Sequence, residues 1–142
     1  MRPAGILETA LYARDLEAAR RFYQDVLGLV MITREPGRHV FFRCGPGVLL
    51  IFDPAATLVP SRVAGAVVPP HGTRGPGHVA FAAVEAELPR WREHLAEHGI
   101  VIESEVVWPG GGRSLYFRDP AGNSVELASP AIWGLPEPKE RQ

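Results

Sequence analysis

Three side chains able to hold a divalent metal, Glu8, His78 and Glu126, each lie in a short stretch where bulky apolar residues alternate with other types. Alternate residues of an extended strand face opposite sides. In 6–13 one face carries Ile6, Glu8, Ala10 and Tyr12; in 77–83 it carries His78, Ala80 and Ala82; in 123–128 it carries Ser124, Glu126 and Ala128. The opposite faces carry Leu7, Thr9 and Leu11, then Val79 and Phe81, then Val125 and Leu127. Each ligand-type residue thus shares its face with alanine, which leaves room beside a polar group and suits the wall of a cavity. One imidazole and two carboxylates converging there would hold a divalent ion with positions open for substrate or water. A plainer reading stays open beside it: Glu8 as a surface charge at a strand edge, His78 as a hydrogen-bonded histidine of the sheet, and Glu126 as an ion-pair partner for Arg43 or Arg118.

Other residues carry weaker signals. Tyr116 and Arg118 share one face of the strand expected at 113–118, and a hydroxyl beside a guanidinium suits an anionic or oxygen-rich ligand, with packing or surface roles as the alternative. His94-Leu95-Ala96-Glu97-His98 has the H-x-x-E-H spacing of a zinc-binding helix, but Gly99 ends that helix at once and no later helix offers a third ligand. A solvated helix face is the expectation there. Gly110-Gly111-Gly112 lacks the Lys-Ser/Thr pair of a phosphate-binding loop and reads as a hairpin turn. His71 reads as a loop residue, with a proton carrier at a cavity mouth as the sharper alternative. Cys44, the only cysteine, can form no internal disulfide and reads as a small strand hydrophobe.

The elements that must position these residues repeat. Ile6-Leu7-Glu8-Thr9-Ala10-Leu11, a helical stretch and Gly28 recur as Pro76-Gly77-His78-Val79-Ala80-Phe81, a second helical stretch and Gly99, at an offset of roughly 70 positions. Phe42-Arg43 recurs as Phe117-Arg118. Asp15 can cap a first helix over 15–27, whose stripe is Leu16, Ala19, Phe22, Tyr23, Val26 and Leu27. A second helix over 88–98 has Pro89 in its first turn and Leu88, Trp91 and Leu95 as its stripe. Strands are expected at 6–13, 39–44, 47–53, 77–83, 100–107, 113–118 and 123–128, with a weaker one near 29–33. The fold class is therefore α+β, two tandem β-α-β-β-β modules at about 6–53 and 76–130. A Pro/Gly-rich linker of about 54–75 joins them, and a polar tail, 131–142, follows.

Composition narrows the function. The chain has 142 residues, 46% of them hydrophobic, which is enough for one globular domain with its own core. With 15 Lys+Arg against 16 Asp+Glu it has no basic excess with which to grip phosphates, so no nucleic-acid partner is expected. No apolar run approaches the roughly 18–20 residues of a membrane span, and Glu8 and Arg14 interrupt any secretion signal. No membrane association and a cytoplasmic location are expected.

Asp15-Leu16, Arg21-Phe22-Tyr23, Leu27-Gly28, the segment Gly75-Pro76-Gly77-His78-Val79-Ala80-Phe81 and the run Tyr116-Phe117-Arg118-Asp119-Pro120-Ala121-Gly122-Asn123-Ser124-Val125-Glu126-Leu127 together resemble the vicinal oxygen chelate superfamily. That group includes glyoxalase I, extradiol dioxygenases, fosfomycin-inactivating thiol transferases and bleomycin-resistance proteins. The resemblance spans about residues 6–130. It implies a cup-shaped, barrel-like mixed sheet with helices outside, and one divalent metal ion (Mn, Fe, Mg, Ni or Zn) held by Glu8, His78 and Glu126. Glu8 stands where relatives commonly have His or Gln, and Leu50 or Ile51 where glyoxalase I usually has a further carboxylate. Two carboxylates supply hard oxygen donors and favour Mn, Fe or Mg. The implied function is a metal-dependent enzyme of the glyoxalase or dioxygenase type, acting on a small molecule that chelates the metal through neighbouring oxygens. In that reading Glu8 and Glu126 are catalytic and Tyr116 and Arg118 contact substrate. The alternative is a metal-free drug- or metabolite-sequestering protein of the bleomycin-resistance type. A homodimer is expected, the modules pairing within a chain or exchanged between chains.

Overall fold

The computed structural model describes residues 1–138, which form two compact units, one ending at Gly77 and the other beginning at His78. In the first, β1 (Glu8–Tyr12) leads into α1 (Leu16–Arg20), and β2 (Val30–Glu35), β3 (His39–Cys44) and β4 (Gly47–Phe52) follow. They form a four-stranded sheet in the order β1-β4-β3-β2, with β1 parallel to β4 and the other neighbours antiparallel. Then come a short helix, α2 (Pro54–Thr57), and a hairpin of β5 (Ser61–Val63) and β6 (Ala66–Val68). In the second unit β7 (His78–Ala82), α3 (Leu88–Glu97), β8 (Ser104–Val107), β9 (Arg113–Arg118) and β10 (Ser124–Ala128) form a sheet of order β7-β10-β9-β8, again parallel only between its first pair. The duplicated β-α-β-β-β organisation and the α+β class are as expected. Eight of the ten strands among the described residues pair as two open four-stranded sheets, so the barrel-like expectation is corrected to that extent.

The first helix starts where its cap predicts. Asp15 Oδ1 accepts the Ala18 N–H at 2.8 Å, satisfying one of the donors a helix start leaves open. From Arg21 to Val26 the winding widens to a π-helix, in which Leu27 N–H reaches the Phe22 carbonyl at 3.1 Å. Wider winding lets two adjacent rings, Phe22 and Tyr23, both be buried, at 3% and 0% exposure, with Tyr23 lying 5.7 Å from Phe42 of β3. In the second unit Leu88 and Leu95 of α3 are buried together with Leu115, Phe117, Val125 and Leu127 on one face of the sheet. Each such side chain contributes about 1.5–3 kcal/mol by leaving water.

Two expectations need correction. The stretch 54–75 contains α2 and the β5–β6 hairpin: Asp53 caps α2 by accepting the Ala55 N–H at 2.8 Å, and Ala64-Gly65 supplies the positive φ angles that a tight hairpin needs. The tail is not uniformly polar, because a 3₁₀ turn at Pro130–Trp133 opens it and it carries Ile132, Trp133 and Leu135. Residues 139–142 lie outside the described residues. Among the described residues no helix is long and apolar enough to cross a membrane.

The turn between β9 and β10 fixes the register on which the site depends. Asp119, 4% exposed, accepts the Ala121 and Asn123 N–H groups at 3.0 and 2.8 Å and the Asn123 side-chain amide at 2.9 Å. Gly122, at φ 85°, makes the reversal possible. Asp119→Ala would strand those donors in a buried turn, and we expect it to destabilise the chain by about 2 kcal/mol or more. A urea-unfolding midpoint equal to wild type would contradict this.

Candidate metal and substrate site

Register brings His78 and Glu126 together. Ser124 pairs with His78 and Glu126 with Ala80 across β7–β10, while Tyr116 pairs with Glu126 across β9–β10, so all face one side of the sheet. His78 Nε2 lies 3.3 Å from Glu126 Oε2. The imidazole is half exposed, whereas the Glu126 side chain is only 6% exposed and its Oε1 is buried without a hydrogen-bond partner. The Tyr116 ring lies near-parallel to the imidazole, centroids 6.4 Å apart.

The protonation of this pair follows from its neighbours. His78 Nδ1 sits 3.1 Å from the Ser124 carbonyl oxygen, which can only accept, so Nδ1 carries the hydrogen and donates it. In the neutral ring Nε2 is then a bare lone pair facing a carboxylate oxygen. Two acceptors at 3.3 Å are stable only with a cation between them, either a proton or a metal. A hydrogen bond from the second ring nitrogen to a carbonyl is also the usual support of a ligating histidine. With the orphaned Oε1, the donor chemistry fits a divalent ion.

Tyr116 adds a neutral donor. Its pKa is raised above 10.0, first by desolvation, then by the Glu126 carboxylate beside it, which favours the phenol as hydrogen-bond donor and opposes a second negative charge. Arg118 shares the strand face but is committed elsewhere. Its Nε donates to Glu103 at 2.9 Å and its Nη1 to the Gly122 carbonyl at 3.2 Å, so it is not the partner of Glu126.

Glu8 belongs to the first unit, on the face of β1 it shares with Ala10, and both are exposed. Among the described residues its side chain makes no hydrogen bond or ion pair. The two sheets carry equivalent positions: Glu8 opposite Val48 matches His78 opposite Ser124, and Leu50, between Ala10 and Phe41, matches Glu126, between Ala80 and Tyr116. Leu50, not Ile51, is therefore on the Glu8 face, and an apolar Leu50–Phe41 pair replaces Glu126–Tyr116. Within neither unit do three His, Cys, Asp or Glu side chains gather closely enough to hold a metal among the described residues.

Two polar contacts had no clear sequence signal. Trp108 Nε1 donates to Ser114 Oγ at 2.8 Å, and Ser114 shares the face of Tyr116. The Tyr12 hydroxyl meets His71 Nδ1 at 2.7 Å, and the His71 ring packs edge-on to Phe52 at 4.9 Å, so this loop residue is tied to the Glu8 face of the first sheet. Both contacts close across loops that periodicity does not register.

A family model described as the Glyoxalase/Bleomycin resistance protein/Dioxygenase superfamily matches residues 5–127. The chain belongs to this superfamily. Among superfamily structures, a lactoylglutathione lyase from Agrobacterium tumefaciens is similar at 44% identity over 95% of this chain and all of that one, with a TM-score of 0.88. The fosfomycin resistance protein FosX from Mesorhizobium loti shares the fold at 23% identity, covering 90% of this chain and 93% of that one, with a TM-score of 0.63. MhqE of Bacillus subtilis, described as a candidate ring-cleaving dioxygenase, is 27% identical over 84% of this chain, which spans only 39% of that curated relative's length.

Tyrosinate absorbance should test the site's electrostatics. The Tyr116 contribution, isolated by subtracting a Tyr116→Phe titration, should ionise above pH 10.0, and Glu126→Gln should move it downward. An unchanged midpoint in Glu126→Gln would remove the proposed coupling.

Proposed function

We propose that the chain is a divalent-metal-dependent enzyme of the glyoxalase type, converting a thiol adduct of a 2-oxoaldehyde by moving a proton between its two neighbouring oxygen-bearing carbons. The observation that carries this reading is the pairing of His78 Nε2 with Glu126 Oε2 at 3.3 Å on an open sheet face. The extent of the match to the lactoylglutathione lyase favours it over ring cleavage, since that match spans both chains almost completely.

In this reading His78 and Glu126 hold the metal, and Glu8 completes the set by its equivalence to His78 in the repeat. A divalent ion there would polarise two neighbouring substrate oxygens and stabilise negative charge developing on them. Glu126 Oε1, buried and without a partner, is the acceptor for the proton leaving carbon and returns it to the adjacent carbon. Tyr116, kept as a neutral phenol beside that carboxylate, is available to donate a hydrogen bond to a substrate oxygen.

The working form in this proposal is a homodimer. Ile6 and Leu7 before β1 are 86% and 74% exposed, and Val30, Met31 and Ile32 of the edge strand β2 are 67%, 36% and 45% exposed. The two groups lie at opposite edges of the sheet, and exposed apolar edges of this kind are a liability unless covered.

Protein purified without chelator should contain one divalent ion per chain and isomerise the methylglyoxal–thiol adduct. His78→Ala should lower metal affinity more than about 100-fold, beyond the effect of losing an outer-shell partner. Glu8→His should keep metal and shift preference toward Zn²⁺ or Fe²⁺. A metal-free, inactive protein that binds small molecules would overturn the enzyme reading in favour of a sequestering one. Light scattering showing a monomer at micromolar concentration would overturn the dimer.

A further inference from the structure

The outer face of α3 carries two histidines, one turn apart, that the proposed chemistry does not use. His94 is half-buried and His98, at the helix C-cap, is exposed; their ring centroids lie 4.3 Å apart, tilted at 46°. The i, i+4 spacing puts both rings on one side of the helix, the arrangement with which a zinc-binding helix grips its ion. Two nitrogens bound to one ion at roughly 2.0–2.1 Å lie no more than about 4.2 Å apart, a span that rings this close reach by small side-chain rotations.

The surroundings suit a cation. His98 Nδ1 lies 2.9 Å from the His94 carbonyl oxygen, which can only accept, so Nδ1 carries the hydrogen and Nε2 of the neutral ring keeps its lone pair. A ring N–H held by a carbonyl is the usual support of a ligating histidine, and here the carbonyl belongs to the other histidine of the pair. The pair also sits in the last turn of α3, where the helix dipole is negative and favours positive charge. Next to His98 in sequence, Glu97 is exposed and adds a further negative charge. On the other side Trp91 meets His94 edge-on, ring centroids 5.5 Å apart. Glu87, Arg90, Trp91 and His94 line a shallow groove of about 270 Å³, in which the Glu87 and Arg90 charges offset each other.

The donor set selects the ion. No third His, Cys, Asp or Glu gathers with these two among the described residues, so water must complete the shell and the ion must be exchangeable. Neither histidine belongs to the strands that carry His78 and Glu126. Paired imidazoles favour Cu²⁺, then Ni²⁺ or Zn²⁺, and discriminate against Mg²⁺ and Ca²⁺, which take oxygen donors.

We infer that His94 and His98 form a second metal site, an exchangeable two-imidazole site for a late first-row divalent ion. The inference is independent of the glyoxalase-type reading. Cu²⁺ titrated into the full chain as purified, followed by electron paramagnetic resonance, tests it. A species with two coordinated imidazole nitrogens should saturate at one ion per chain, and about a hundredfold excess of Mg²⁺ should leave it in place. His94→Ala and His98→Ala should each weaken that ion's binding about tenfold or more, because losing either ring removes the second, intramolecular attachment. Binding should also quench the Trp91 emission, isolated by subtracting a Trp91→Phe titration, and the quenching should vanish with either histidine. His78→Ala should leave the two-nitrogen species intact. Absence of that species, its survival in both the His94 and His98 variants, its displacement by Mg²⁺, or its loss in His78→Ala would overturn the inference.

Discussion

A nearly buried carboxylate facing an imidazole lone pair is the constraint around which the second unit is arranged. Glu126 is 6% exposed and leaves one oxygen unpartnered, a costly arrangement for a charge unless a cation balances it. The surrounding structure keeps it in place. The Ser124 carbonyl fixes the imidazole tautomer, the Asp119–Asn123 turn fixes the register of β9 against β10, and the apolar face behind, from Leu115 to Leu127, anchors both strands. The polar face is held rigid by packing on the other side of the same strands, so that a positioned pair costs little reorganisation when a ligand arrives.

Duplication explains why the two units resemble each other in topology and differ in chemistry. Both sheets place a parallel first strand against a central strand, and both carry one face equivalent by register. In the second, that face holds His78, Glu126 and Tyr116; in the first it holds Glu8, Leu50 and Phe41. The first sheet adds an aromatic cluster in which His39 stacks on Phe41 at 4.1 Å and Phe52 meets His71. Burial lowers the His39 pKa and favours its neutral form, in keeping with that apolar setting. The paired imidazole and carboxylate thus belong to the second copy.

Much of this was legible in the sequence because it is local. The i, i+2 alternation put Glu126 and His78 on alanine-bearing faces, Asp15 marked a helix start, and Gly28 and Gly99 marked the two stops, at φ 68° and 70°. What periodicity could not supply were contacts that close over long loops. The Arg118–Glu103 pair joins residues 15 positions apart, and the Tyr12–His71 bond spans 59. The π-helical turn depends on two adjacent rings competing for one core, and the docking of the Pro130–Trp133 turn depends on Gly112 meeting Ile132. These are tertiary decisions, set by which surfaces approach.

The central claim is that the His78–Glu126 pair is a metal ligand set and not a proton-sharing ion pair. X-ray absorption at the edge of the metal that copurifies with the full chain tests it most directly. The account predicts a shell of one imidazole and carboxylate oxygens at roughly 2.0–2.2 Å, with the imidazole signature lost in His78→Ala. A shell without imidazole, or one unchanged by that substitution, would contradict it.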